Sequence, residues 1–190
     1  MQRCGWVGLE SIYVAYHDEE WGVPEYDSRA LWEKLILDGF QAGLSWIIIL
    51  KKREAFRKAF ANFDPEIIAT WGPKEVDALL QDSGIVRHRG KIQAAIGNAQ
   101  AYLELQKKIP FSERIWAYTG GVPLVGSCRS QADVPTNSDL SAQISKDLKK
   151  AGFKFCGPTI IYAWMEACGL INNHIINCER FEAVKKFARI

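Results

Sequence analysis

The chain has 190 residues, 48% of them hydrophobic, with 24 basic and 22 acidic side chains for a formal net charge of +2. That length fits one ordinary domain with a substantial core. The near-balance of charge excludes reading a partner from net charge alone, because a nucleic-acid binder can gather its Lys and Arg on one face.

No run approaches the ~18–20 apolar residues of a membrane helix, residues 44–50 being the longest candidate. The first residues carry no apolar signal region. A soluble, cytoplasmic, monomeric protein with no membrane partner is expected. The five cysteines form no CxxC pair, which in a reducing compartment points to free thiols or metal ligands. Seven Trp is a high count, and the early aromatics Trp6, Tyr13, Tyr16, Trp21, Trp32 and Trp46 are crowded; such rings serve either as core or as a stacking surface.

Apolar periodicity is helical nearly throughout. Ser28 is placed to cap a first helix carrying Leu31, Trp32, Leu35 and Ile36, with a break at Gly39 and Gly43. A second helix runs over 45–60, its Lys51, Lys52, Arg53, Arg57 and Lys58 following a very apolar first half. Asp64-Pro65 reads as a cap followed by Pro at the first helical position. Another helix opens at Pro73 and stops at 82–84. The cleanest amphipathic pattern covers 90–105. Residues 109–135, richer in Gly, Pro and Ser, read as irregular. Helices follow over 138–150, ending at Gly152, and over 158–168, ending at Gly169, and a last one holds His174 and Cys178. Strand signals are poor, so the fold class is all-α, in one domain over 1–190.

Three groups of residues carry chemistry. In the first, residues 79–91 read as two helices joined by a short turn, with Gly84 at one end and Gly90-Lys91 at the other. This resembles a helix-hairpin-helix, about 79–92. Glycine lets backbone approach closely, a helix start offers unpaired N–H groups and a positive dipole end, and Arg87, Arg89 and Lys91 add charge. The same residues would also suit a plain corner with surface charges. His88 reads as locally bonded.

In the second group, Cys4 and His17 lie near the start, and His174 and Cys178 lie near the end, four apart and able to share one helix face. Two thiolates and two imidazoles suffice for a tetrahedral structural zinc. Such a set leaves no open position for a catalytic water. Alternatively Cys4 and Cys178 are small buried hydrophobes, as Cys128, Cys156 and Cys168 are expected to be.

The third group is a carboxylate, a glycine-bounded turn and a Trp in 38–46. Asp38 and Trp46, packed with Tyr16 and Trp21 beside His17, would form a slot of π faces with one negative group. That combination suits a flat cationic base.

Together the stretches Arg3-Cys4-Gly5-Trp6, Tyr16-His17-Asp18-x-x-Trp21-Gly22-Val23-Pro24, Gln41-Ala42-Gly43-Leu44-Ser45-Trp46, Leu50-Lys51-Lys52-Arg53, Gly84-Ile85-x-Arg87-His88-Arg89-Gly90-Lys91-Ile92, Gly152-Phe153-Lys154-Phe155 and Ala167-Cys168-Gly169-Leu170 followed by His174 resemble the bacterial 3-methyladenine DNA glycosylase I family. The resemblance runs from residue 3 to about 178 and is weakest in 109–135. It implies a helix-hairpin-helix glycosylase of two helical lobes around a base pocket. It also implies a structural Zn2+ on Cys4, His17, His174 and Cys178 that joins the terminal segments, about 1–20 and 170–180. The implied activity is monofunctional hydrolysis of the N-glycosidic bond of 3-methyladenine in double-stranded DNA with alkylated bases. Trp6, Tyr16 and Trp46 would surround the flipped base, with Trp21 beside them and Asp38 as the recognising carboxylate. Asp38, Tyr16 and Trp46 are thus the expected catalytic set. Leu44, beside Gly43, would fill the gap left in the duplex. The chain departs from the family pattern at position 38, where Asp stands for Glu, one methylene shorter. Two rival readings are a DNA-binding module without catalysis and a zinc hydrolase of small molecules.

Overall fold

The computed structural model describes residues 2–188; the outermost positions of the expected 1–190 domain lie outside them. Ten α-helices are formed among the described residues: α1 (Ser11–Glu19), α2 (Ser28–Gln41), α3 (Trp46–Ala59), α4 (Pro65–Ile68), α5 (Pro73–Gln81), α6 (Arg89–Gln106), α7 (Phe111–Trp116), α8 (Asp139–Lys150), α9 (Pro158–Ala167) and α10 (Glu179–Lys185). Two strands of two residues, β1 (Leu124–Val125) and β2 (Ile171–Asn172), pair in parallel.

Most boundaries follow local chemistry. Asp64 accepts from the N–H groups of Glu66 and Ile67 ahead of Pro65, and Ser138 and Ser141 cap α8 reciprocally. Asp27, rather than Ser28, caps α2 by accepting from Ala30 N–H at 2.8 Å. The expected break at Gly39 does not occur: α2 continues to Gln41. Gly39 is instead a packing position, since a Cβ there would stand 3.3 Å from the Phe155 carbonyl oxygen. Helix α1 and the short α7 escape sequence reading. Helix α1 has no side-chain cap and its polar and aromatic residues alternate without a clean apolar stripe; α7 is only six residues long.

Helices α2, α3, α6 and α9 enclose the larger core, in which Trp32, Phe40, Tyr102 and Trp164 are buried. Trp164 Nε1–H donates to the Leu31 carbonyl at 3.0 Å, satisfying the polar edge of a fully buried ring. A smaller apolar cluster gathers Cys4, Val7, Tyr16, Trp21, Leu50, Ala167, Ile175 and Cys178, so it joins the two ends of the chain. Trp46 packs against both clusters.

The loop after α1 is pressed onto the end of α9. Gly22 N–H donates to Glu166 O (3.1 Å) and Glu25 N–H to Cys168 O (3.0 Å). Gly169 makes this possible: its φ is +69°, and a Cβ would lie 2.5 Å from Pro24 N and from Val23 C. Gly169→Ala should therefore cost at least about 2 kcal/mol, from left-handed strain and a backbone clash. Gly97→Ala, inside α6 with nothing near its absent Cβ, should add about 0.5–1 kcal/mol. Denaturant titration reads both; equal stability for the two variants would contradict the packing described.

Candidate functional site

Cys4, His17, His174 and Cys178 come together with all four ligand atoms within 4.8 Å of one another, and all four residues are buried. Cys4 Sγ lies 3.6 Å from His174 Nδ1, and Cys178 Sγ lies 3.5 Å from both His17 Nε2 and His174 Nδ1. A tetrahedral zinc with bonds of about 2.3 Å to sulfur and 2.0–2.1 Å to nitrogen has N···S edges of about 3.5 Å, so the donors fit such an ion. The far side of each imidazole is also occupied. His17 Nδ1 is 2.7 Å from Asp18 Oδ1, and His174 Nε2 is 3.0 Å from the Trp21 carbonyl. These are the carboxylate and carbonyl partners that fix the tautomer of a metal-binding His. Asp18 is itself held by the Arg3 guanidinium, at 2.6–2.9 Å, which together with His17 draws its carboxyl down to about 2. Burial lowers His174 to about 4, leaving the imidazole in its ligating form, and pushes the Cys4 thiol up to about 12. A thiol so buried loses its proton to a bound cation.

His174 and Cys178 do not share a helix face. They lie in the turn between β2 and α10, where Cys178 is the N-cap of α10. Asn172, whose Oδ1 faces His174 N–H at 3.3 Å and whose Nδ2 donates to Phe181 O, holds that turn. Cys156 and Cys168 are buried as expected; Cys128 is only half-buried.

The aromatic residues stand directly on this centre. Trp6 contacts the His17 ring at a centroid distance of 5.4 Å and Trp21 contacts the His174 ring at 4.6 Å. Trp6 also meets Tyr13 (5.0 Å), Tyr16 (6.3 Å) and Trp21 (5.1 Å), and Tyr16 meets Trp46 (5.5 Å). The expected residues Trp6, Tyr16, Trp21, Asp38 and Trp46 all line one cavity of about 380 Å³. Asp38 is 3% exposed. Its Oδ2 has no hydrogen-bond partner, and neither has Trp46 Nε1. Burial raises the Asp38 carboxyl well above its ordinary value; Lys34 opposes this and Glu166 adds to it.

Tyr13, noted only as one of the crowded early aromatics, and Gln41, Gln131 and Glu166, which sequence reasoning missed, also line the cavity. Tyr13 precedes Tyr16, and Gln41 follows Asp38, by one helical turn, a spacing that could have flagged them. Glu166 and Gln131 arrive by tertiary folding alone.

The turn 42–45 between α2 and α3 carries Gly43, exposed with φ +80°, and the partly buried Leu44. Gln41 Nε2–H donates to Leu44 O (2.8 Å) and closes the turn. At the hairpin between α5 and α6, Asp82 Oδ1 accepts from Gly84 N–H (2.7 Å), His88 Nδ1 accepts from Lys91 N–H (3.2 Å), and Lys52 Nζ–H donates to Ser83 O. Some of the backbone donors expected to face phosphate are thus engaged within the turn. Arg87 is exposed, Arg89 pairs with Asp77 at 2.8 Å, and Gly90 sits against the His88 ring. The expectation that the Lys91 side chain contacts phosphate is corrected. Its ammonium turns inward and donates to Phe40 O (2.8 Å) and Ala42 O (2.6 Å), capping the end of α2.

Fold and site together define a helical protein with an acidic, aromatic-walled cavity beside a cluster of four possible metal donors. The chain belongs to the methyladenine glycosylase family, which residues 6–181 match. It is 51% identical to DNA-3-methyladenine glycosylase 1 of Escherichia coli (strain K12), over 94% of this chain and 96% of that one. It is 49% identical to the DNA-3-methyladenine glycosylase of Haemophilus influenzae, over 93% and 96%. A solved variant of 3-methyladenine DNA glycosylase I in complex with 3-methyladenine superposes with a TM-score of 0.92 at 39% identity, covering 95% of this chain and 98% of that one.

Lys91→Met should cost about 2 kcal/mol, because two carbonyls at the end of α2 lose their charged donor. Arg87→Ala should stay within about 0.5 kcal/mol of wild type. Chemical denaturation distinguishes them, and an unchanged midpoint for Lys91→Met would remove the capping role.

Proposed function

We propose that this chain hydrolyses the N-glycosidic bond of 3-methyladenine in alkylated double-stranded DNA. The observation that carries the reading is the Asp38 carboxylate, nearly sealed from solvent, unpartnered at Oδ2, and facing a cavity walled by Tyr16, Trp46, Trp6 and Trp21. Alkylation at N3 gives adenine a positive charge. The rings attract that charge by cation–π interaction, and Asp38 accepts from the base. At an effective dielectric near 20, a carboxylate ~4 Å from the cation contributes about 4 kcal/mol before desolvation. Neutral adenine gains none of this, and so is discriminated against. The Asp38 stem, one methylene shorter than the family's Glu, sets the base deeper or leaves room for a water between them.

The cation is already a good leaving group, so the enzyme need not protonate it. Among the described residues lining the cavity there is no lysine, which supports plain hydrolysis without a Schiff base or strand cleavage. Leu44, on its glycine-bounded turn, fills the duplex gap, offsetting part of the unstacking of the flipped base. The hairpin 79–92, as a helix-hairpin-helix, holds phosphate through Arg87, Arg89 and the helix start at Gly90, with Gly84 closing the turn on Asp82. The protein works as one domain whose ends are tied by zinc on Cys4, His17, His174 and Cys178. With four protein ligands the ion has a structural role: it fixes the floor on which Trp6 and Trp21 rest.

Asp38→Asn should slow single-turnover release of 3-methyladenine ten- to a hundredfold, the worth of a charged hydrogen bond. Its effect on stability has the opposite sign. The folded carboxyl titrates above its ordinary 3.8, so its stabilising contribution is present only below that value and is lost as pH rises towards the folded pKa. The variant should melt higher than wild type at pH 7, with the difference shrinking as pH falls towards 4. An unchanged excision rate would remove Asp38 from the mechanism.

Metal analysis of the purified protein should find one zinc per chain. Cys178→Ala should lose it and melt on the order of 10 °C lower, the shift of ~4 kcal/mol in a chain of this size. A wild-type protein that binds no zinc under metal-replete conditions defeats that assignment.

A further inference from the structure

A second carboxylate lines the cavity. Glu166 stands in the last turn of α9, where the partial negative end of the helix opposes an anion. It is partly buried, and its side chain accepts from the neutral side-chain amide of Asn173, which donates to Oε1 at 2.8 Å. Asn173 is held in turn by the Tyr162 hydroxyl at 2.8 Å. The Glu166 backbone is fixed independently, its carbonyl accepting from Gly22 N–H at 3.1 Å. No salt bridge to Glu166 is found among the described residues, whereas Glu20 and Glu33 nearby are neutralised by Arg53 and Arg57. Burial raises Glu166 to about 7, and its charge works against that of Asp38. Fold stability alone gives no reason for an unneutralised acid in such a place.

We propose that Glu166 is a second recognition carboxylate of the cavity, sharing with Asp38 the positive charge of the alkylated base. The inference rests on the reading that the cavity takes a cationic purine. Two acids that oppose each other's ionisation are relieved together when a cation enters between them. The shorter Asp38 leaves part of that charge to be met from another wall, and α9 is the wall that brings a second acid.

Glu166→Gln keeps the shape and the acceptor for Asn173 while removing the charge. The probes are 3,9-dimethyladeninium, which is permanently cationic, and 9-methyladenine, which is neutral; both are titrated against the whole chain by Trp fluorescence. The variant should bind the cation on the order of tenfold more weakly, the neutral purine equally well, and release 3-methyladenine from methylated DNA correspondingly more slowly. Melting temperature should not fall, because an unneutralised buried acid is removed, and metal content should not move. An equal loss for both purines, or no loss for either, overturns the proposal. Should Glu166→Gln not fold, Glu166→Met is read in the same way. If the wild type prefers the cation yet releases no 3-methyladenine, the glycosylase reading fails while the role of Glu166 is still decided by the titration.

Discussion

The arrangement of the Cys4, His17, His174 and Cys178 donors is the constraint on which the site depends. It closes the chain on itself, drawing the first residues and the turn before α10 to one point. The imidazoles are then built upon: Trp6 packs on His17 and Trp21 on His174, and Tyr16 follows because it neighbours His17 in α1. A loop start and a loop end have little packing of their own to hold large rings at fixed angles. Four buried side chains, the two imidazoles fixed at their outer nitrogens by Asp18 and by the Trp21 carbonyl, supply that rigidity.

The cavity built on this floor is a site of deliberate instability. Asp38 and Glu166 are acids removed from water without cationic partners at hydrogen-bond distance, and Trp46 Nε1 is an orphaned donor. Each disfavours the empty fold. The stabilising charges lie elsewhere: Arg3 on Asp18, Arg53 on Glu20, and Lys91 on the end of α2. Lys91 shows the division clearly. By spacing it belongs to the hairpin expected to face phosphate, yet its ammonium is used to hold the turn between Asp38 and Trp46.

Much of this was legible beforehand. Helix caps at Asp64 and Ser138 depend on neighbours within three residues, and the apolar stripe over 90–105 on a period of 3.6, so both are written locally. The cluster of Cys4, His17, His174 and Cys178 was legible because Cys and His are scarce and chemically distinctive. The errors share one cause. Gly39 looked like a breaker because glycine weakens helices locally; the approach of Phe155, distant in sequence, gives it a packing role. His174 and Cys178 have helical spacing, but Asn172 holds them in a turn.

The sequence by itself determined the helical class, the residue types of the Cys and His cluster, and the aromatic residues and Asp38 that line the cavity, because composition and short-range spacing encode those. Tertiary structure alone decided that Glu166 faces Asp38's cavity, that Lys91 points inward and that Trp46 joins both apolar clusters. Those are contacts between segments far apart along the chain, and they are set by how helices pack and not by any pattern within one of them.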